Sequence, residues 1–202
     1  MEIINNGDDT TAILEGCDLG VLNDFPEFSR LCGFPMTLDE PVDYLEGIEF
    51  CQTHPVYDGT DWFMMRDPRV CLAKDAVSVK HFDDAKTYDL LRNSIGQCGK
   101  ALAGHMPIFK SFYAMFCRGA GNRVDRDLED TGFKILARGM WNTGVVTDYA
   151  RYSFYLAFGI TPDEQKALEE YYDKVNLRWV KPPIVTAFGK PEHIPRAMGS
   201  PS

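Results

Sequence analysis

Near the start of the chain, Gly7-Asp8-Asp9 sets two carboxylates side by side. Adjacent carboxylates repel, which raises the proton affinity of one unless a cation neutralises the pair. Mg2+ suits such a place, because it takes one or two carboxylates and completes its octahedron with water and substrate phosphates. Mn2+ shares that preference for oxygen and is the alternative ion. Two such ions about 3.5–4 Å apart activate an attacking oxygen and stabilise a leaving one. Successive strand side chains point to opposite faces, so Asp8 and Asp9 do not address one point equally. The bare tripeptide is also a common solvated turn, and only its surroundings separate the two readings.

Other residues carry chemistry less distinctly. Arg66-Asp67-Pro68 and Lys74 place two cations near the middle of the chain, although Arg66 and Asp67 also suit a plain surface pair. Residues 86–123 hold Lys86, Arg92, Lys100, Lys110, Arg118 and Arg123 against Asp89 alone. Phe112, Tyr113 and Phe116 could stack on bases, but their spacing fits core packing better. Cys51 and His54 make half of a zinc-like pair with no second half, so the six cysteines read as free thiols in a reducing compartment. The four histidines are scattered and read as ordinary.

The charge is uneven. The 202 residues carry a net −9, which taken whole argues against a nucleic-acid partner. Residues 1–73 nevertheless hold more than all of that excess, with fifteen acids against three bases (Arg30, Arg66, Arg69), while residues 74–202 are slightly basic. No run approaches the ~20 apolar residues of a membrane helix, and the polar opening is unlike a signal peptide.

The elements that must position these residues follow from pattern. Ile3-Ile4 and Ala12-Ile13-Leu14 around an Asn-Gly dipeptide predict a hairpin with Asp8 and Asp9 at its tip. Asn23-Asp24 before Pro26, with Gly33 as stop, predicts a helix whose Phe25, Phe28 and Leu31 face inward. Residues 42–52 read as a strand pair. Asp58-Gly59 marks a turn before a strand at residues 62–65, and Pro68 a break. Helices are expected over residues 83–93, through 101–103, over 107–117, from Thr147 to Phe158, and from the capping box at Thr161 to about Val175. The tail from Lys181 is Pro-rich and predicted irregular. Strands first and helices second make this an α+β chain rather than an alternating one. The boundary is expected at 73/74, where the charge changes sign.

In order along the chain, Asn5-Asn6-Gly7-Asp8-Asp9, Gly33-Phe34-Pro35-Met36, Ile48-Glu49-Phe50-Cys51-Gln52 and Arg66-Asp67-Pro68 resemble the RNA-dependent RNA polymerases of positive-strand RNA viruses. Among these the tombusvirus-like group is the most similar. Residues 158–164 fit the same group. The resemblance implies that residues 1–73 are the C-terminal part of a right-hand polymerase palm, built of hairpins and a helix. It implies that residues 74–202 are a mainly α-helical thumb. Asp8 would be the main Mg2+ ligand and Asp9 a secondary one in a two-metal nucleotidyl transfer from NTPs to an RNA 3′ end. Phe50, Cys51 and Gln52 would support the growing strand. Arg66 and Lys74 would bind the triphosphate of the initiating nucleotide, and the six bases of residues 86–123 would line the path of template and product RNA. The family's general-acid lysine has no counterpart, since no lysine precedes Lys74. Arg30 is a poor substitute, because guanidinium hardly gives up its proton.

The family's upstream metal and ribose-selecting motifs are missing. Asp84 with Asp89 and Asp125 with Asp130 have a suitable spacing but fall in the wrong order. The chain is therefore expected to be a C-terminal fragment that needs the fingers and the remaining palm, and to be inactive alone. Its expected setting is the viral replication complex in the host cytoplasm. The competing reading is a stand-alone α+β interaction protein whose Gly-Asp-Asp is only a turn.

Overall fold

The computed structural model describes residues 1–77, 84–121, 123 and 142–181. Strands β1 (Glu2–Asn6) and β2 (Asp9–Ile13) pair antiparallel, Asn6 opposite Asp9, and β3 (Thr53–Tyr57) pairs with β4 (Trp62–Arg66) in a separate two-stranded sheet. Six α-helices are described: α1 (Phe25–Leu31), α2 (Pro68–Lys74), α3 (Ala85–Ala103), α4 (Phe109–Cys117), α5 (Asp148–Phe158) and α6 (Pro162–Lys174). The architecture is α+β, as the sequence pattern predicts.

Caps set the helix limits. Asp67 accepts the Arg69 amide at the start of α2, Asp84 that of Thr87 at α3, and Thr147 that of Ala150 at α5. Thr161 and Glu164 form a reciprocal capping box at α6. Gly159 ends α5 with φ 70°, a left-handed conformation that glycine adopts without a Cβ penalty.

Four expectations change. Pro68 stands at a break, after β4 ends at Arg66, but it also opens a helix the pattern did not predict, α2, at the position where a missing N–H is harmless. The helices expected over 83–93 and through 101–103 are one nineteen-residue helix, α3. Its Gly96 and Gly99 lie against α4, where a Cβ on Gly99 would stand 2.0 Å from the Tyr113 ring. These glycines serve close packing rather than interruption. Residues 42–52 are not a strand pair. They hold a 3-10 turn, Leu45–Gly47, and a bridge from Phe50 to Thr53, so the hairpin starts later than the apolar alternation suggested. Finally, α1 does not bury its apolar side: Phe28 is 62% exposed and Leu31 72%, while Ser29 is the residue covered. Among the described residues no surface covers that face, and spacing alone cannot supply one.

The core begins only at Val56 and runs through β3, β4, α2, α4 and α5. Phe154 meets Phe158 at 4.7 Å and Phe109 at 6.0 Å, and Phe112 meets Tyr172 at 5.2 Å, all edge to face. Buried Glu46 accepts the Ser153 hydroxyl at 2.7 Å, and that hydroxyl accepts the Tyr57 amide at 2.8 Å. The 3-10 turn, β3 and α5 are thereby pinned together, and one core takes side chains from both sides of position 73/74. Phe112, Tyr113 and Phe116 are buried in it. Arg151 and Glu169 form a bidentate pair at 3.0 and 2.8 Å, and Glu169 also accepts the amide of Ile108, whose φ is 65°.

Candidate active site

The β1–β2 connection is a two-residue loop, Gly7-Asp8. Gly7 has φ 67° and Asp8 a negative φ, the pattern of a type II′ turn with glycine at its first central position. The Asn5 amide donates to Gly7 O at 3.3 Å, Asp9 O at 3.4 Å and Thr10 Oγ1 at 2.6 Å, so one side chain braces the turn from within. Asp8 and Asp9 are exposed, and among the described residues neither carboxylate accepts a hydrogen bond. Two hard oxygen donors open to solvent fit a Mg2+ ion that keeps several waters. Among the described residues no group of three or more His, Cys, Asp or Glu is placed to hold a metal.

Beyond the hairpin, Asn6 Nδ2 donates to Cys51 Sγ at 3.2 Å. Cys51 and Gln52 are the central residues of a tight turn closed by Phe50 N to Thr53 O at 2.9 Å and Thr53 N to Phe50 O at 3.0 Å. Both have positive φ, 52° and 59°. Left-handed backbone costs a non-glycine residue about 1–2 kcal/mol, so this turn is strained at two successive positions. Phe50, Cys51 and Gln52 therefore sit together at a loop tip that touches the metal-type turn through Asn6. Spacing gave no sign of this contact, which joins residues 45 apart in sequence.

Arg66 pairs with Asp75 at 3.6 Å rather than with Asp67, which caps α2 and binds Arg69 at 2.9 Å. Burial raises Asp67's proton affinity, but the Arg69 hydrogen bonds outweigh it and hold the carboxyl below its usual range. Asp75 also accepts the Tyr113 hydroxyl at 2.6 Å, and burial together with that carboxylate pushes the phenol far up. Cys71, buried nearby, is pushed up to about 11, mainly by desolvation, and so stays a thiol. Lys74 is exposed in the last turn of α2.

The basic stretch divides by burial. Lys86, Lys110 and Arg123 are exposed and Lys100 partly so. Arg118 turns inward to the carbonyls of Tyr172 and Val175 at the end of α6. Arg92 is buried, with Asp89 at 2.7 Å and the carbonyls of Arg118 and Phe116 at 2.8 and 3.4 Å, so it ties α3 to the end of α4 and offers no open face to a strand. Asp84 and Asp89 are thus a cap and an ion-pair partner, whereas Asp125 and Asp130 lie outside the described residues.

An acidic turn of this kind beside a short hairpin and a helical body matches one family over most of the chain: residues 1–180 fit the family described as viral RNA dependent RNA polymerase. The chain belongs to that family. It is 39% identical over 184 residues to the RNA-directed RNA polymerase of Turnip crinkle virus, covering 87% of this chain and 24% of that protein. It is 40% identical over 184 residues to that of Melon necrotic spot virus (88% and 23% covered), and 40% over 174 residues to that of Carnation mottle virus (83% and 23%). The chain thus spans about a quarter of the length of these curated relatives. No solved structure matches it.

Proposed function

We propose that the chain works as part of a longer RNA-directed RNA polymerase, in which it contributes the metal-binding turn and the strand-holding helical segment. The observation that carries this reading is the Gly7-Asp8-Asp9 loop, braced by Asn5 and open to solvent, in a chain of this family. Asp8 is the main Mg2+ ligand and Asp9 a secondary one, with the remaining donors supplied from outside the chain. When bound, two Mg2+ ions lower the proton affinity of the attacking 3′ oxygen and neutralise the charge that develops on pyrophosphate. The turn's own part is to hold the two carboxylates in place and open to solvent.

Phe50, Cys51 and Gln52 support the 3′ end of the growing strand. Lys74, and Arg66 through the part of its guanidinium not facing Asp75, bind the triphosphate of the initiating nucleotide. Lys86, Lys100, Lys110, Arg118 and Arg123 contribute to a positive path for template and product; with Arg92 buried, that set is narrower than charge alone suggests. Residues 1–73 act as palm and 74–202 as thumb, although they share one core. The exposed apolar residues of the first 45 positions are the face that meets the remaining palm and fingers. By itself the chain does not polymerise, and its place of action is the replication complex in the host cytoplasm. Among the described residues no helix is long and apolar enough to cross a membrane.

Template-directed incorporation by a polymerase of the relatives' length carrying this chain is the test. Asp8→Ala should lower it by roughly 10³-fold or more, the scale of losing a charge-stabilising group in the transition state. The 202-residue chain alone should incorporate nothing. An Asp8→Ala enzyme of near-normal activity would overturn the reading.

A further inference from the structure

Resting on the function proposed above, the geometry points to Asn6 as a positioning residue: its hydrogen bond to Cys51 fixes where the Asp8–Asp9 turn stands relative to the strained Cys51-Gln52 turn. Neighbouring strand residues face opposite sides, so Asn5 and Asn6 divide two tasks. Asn5, opposite Thr10, closes bonds within the hairpin and fixes the shape of its tip. Asn6, opposite Asp9, shares a face with that carboxylate. From that face it reaches Cys51 Sγ at 3.2 Å. Asn5 therefore sets the form of the metal turn and Asn6 sets its location.

The second turn explains why a cysteine is placed there at a conformational cost. Glycine would take φ 52° without strain, but it would bring no acceptor to Asn6. Residue 51 holds an unfavourable backbone and gains a contact with the other turn. The sulfur acts only as acceptor and takes no part in the chemistry.

Two readouts separate positioning from ordinary support. In the 202-residue chain, alkylation by iodoacetamide, followed by peptide mass at each cysteine, should run several-fold faster at Cys51 in Asn6→Ala, because the amide no longer covers Sγ. In the longer polymerase, Asn6→Ala and Cys51→Gly should each raise the half-saturating Mg2+ concentration by roughly five-fold, the scale of one lost hydrogen bond. Asn6→Ala/Cys51→Gly should be no worse than either single change. Cys51→Ser, which keeps an acceptor, should stay near wild type. Cys51→Gly should unfold at a temperature no lower than wild type, since its backbone strain is relieved while the metal response worsens. An unchanged alkylation rate, an unmoved Mg2+ response, or Cys51→Ser as impaired as Cys51→Gly would overturn the assignment. Asp8→Ala run alongside distinguishes the two failures. If it leaves incorporation intact, the proposed function fails. If it abolishes incorporation while Asn6→Ala has no effect, only the role of Asn6 fails.

Discussion

Phe28 and Phe154 are both aromatic residues at helical spacing on a short helix, yet Phe28 is 62% exposed and Phe154 fully buried. The difference holds for the whole segments around them. Residues 1–45 expose Ile3, Ile4, Phe28, Leu31 and Phe34 and contain no buried apolar residue. The described residues from β3 to α6 enclose one core rich in aromatic side chains. Large apolar side chains left open mark surfaces that a partner can cover, so the first segment, which has exposed apolar residues and no core of its own, differs from the second, which has a core. The candidate metal turn lies on the first. Its position in this structure depends on local devices, Asn5 and the Asn6–Cys51 bond, rather than on burial.

The largest effect expected from this contrast is a difference between two truncations. Phe154→Ala should cost about 3–5 kcal/mol in denaturant unfolding of the chain, and Phe28→Ala no more than about 0.5 kcal/mol. Equal losses would erase the distinction. Next comes Glu169→Ala, which strands Arg151 and the Ile108 amide; unfolding should show a loss of about 3 kcal/mol, the low end for breaking a buried pair. Thr161→Ala, which removes the capping box, should cost about 1 kcal/mol and shorten α6 by circular dichroism.

The smallest effect is a pH slope within the body. His105 is buried against Phe63, with Nε2 3.8 Å from a carboxylate oxygen of Asp58. Desolvation holds its pKa below the ordinary 6.5, against the opposing pull of Asp58. The unfolded chain therefore binds this proton more readily than the folded one. Its contribution is complete above about pH 6.5 and is lost as pH falls below that value. His105→Leu should flatten the melting temperature between pH 6.5 and 5; an unchanged slope would mean another group is responsible.

Much of this was legible in the sequence. The Asn-Gly hairpin, the Thr161 capping box and the Gly159 stop are local signals, settled by residues within a turn of each other, and all three appear as expected. The burial of Phe112, Tyr113 and Phe116 also follows from spacing. What local pattern could not provide was the partner of each face. Phe28 and Leu31 have the spacing of a buried stripe, but spacing does not reveal whether the opposing surface lies in the same chain. Arg92 counted as surface charge until α4 was seen to end beside it, and Arg66 found Asp75 instead of its sequence neighbour. The Asn6–Cys51 contact was illegible for the same reason, since it depends on how two hairpins approach.

Amide hydrogen exchange across residues 2–31, measured in the 202-residue chain and in a polymerase of the relatives' length that contains it, tests the central contrast most directly. In the chain alone these amides should exchange within the range of a weakly supported hairpin and helix. In the longer protein they should slow by about 100-fold or more, while those of α4 and α5 change little. Equal protection of residues 2–31 in both would contradict the account, because the segment that carries Asp8 and Asp9 would then be complete without a partner surface.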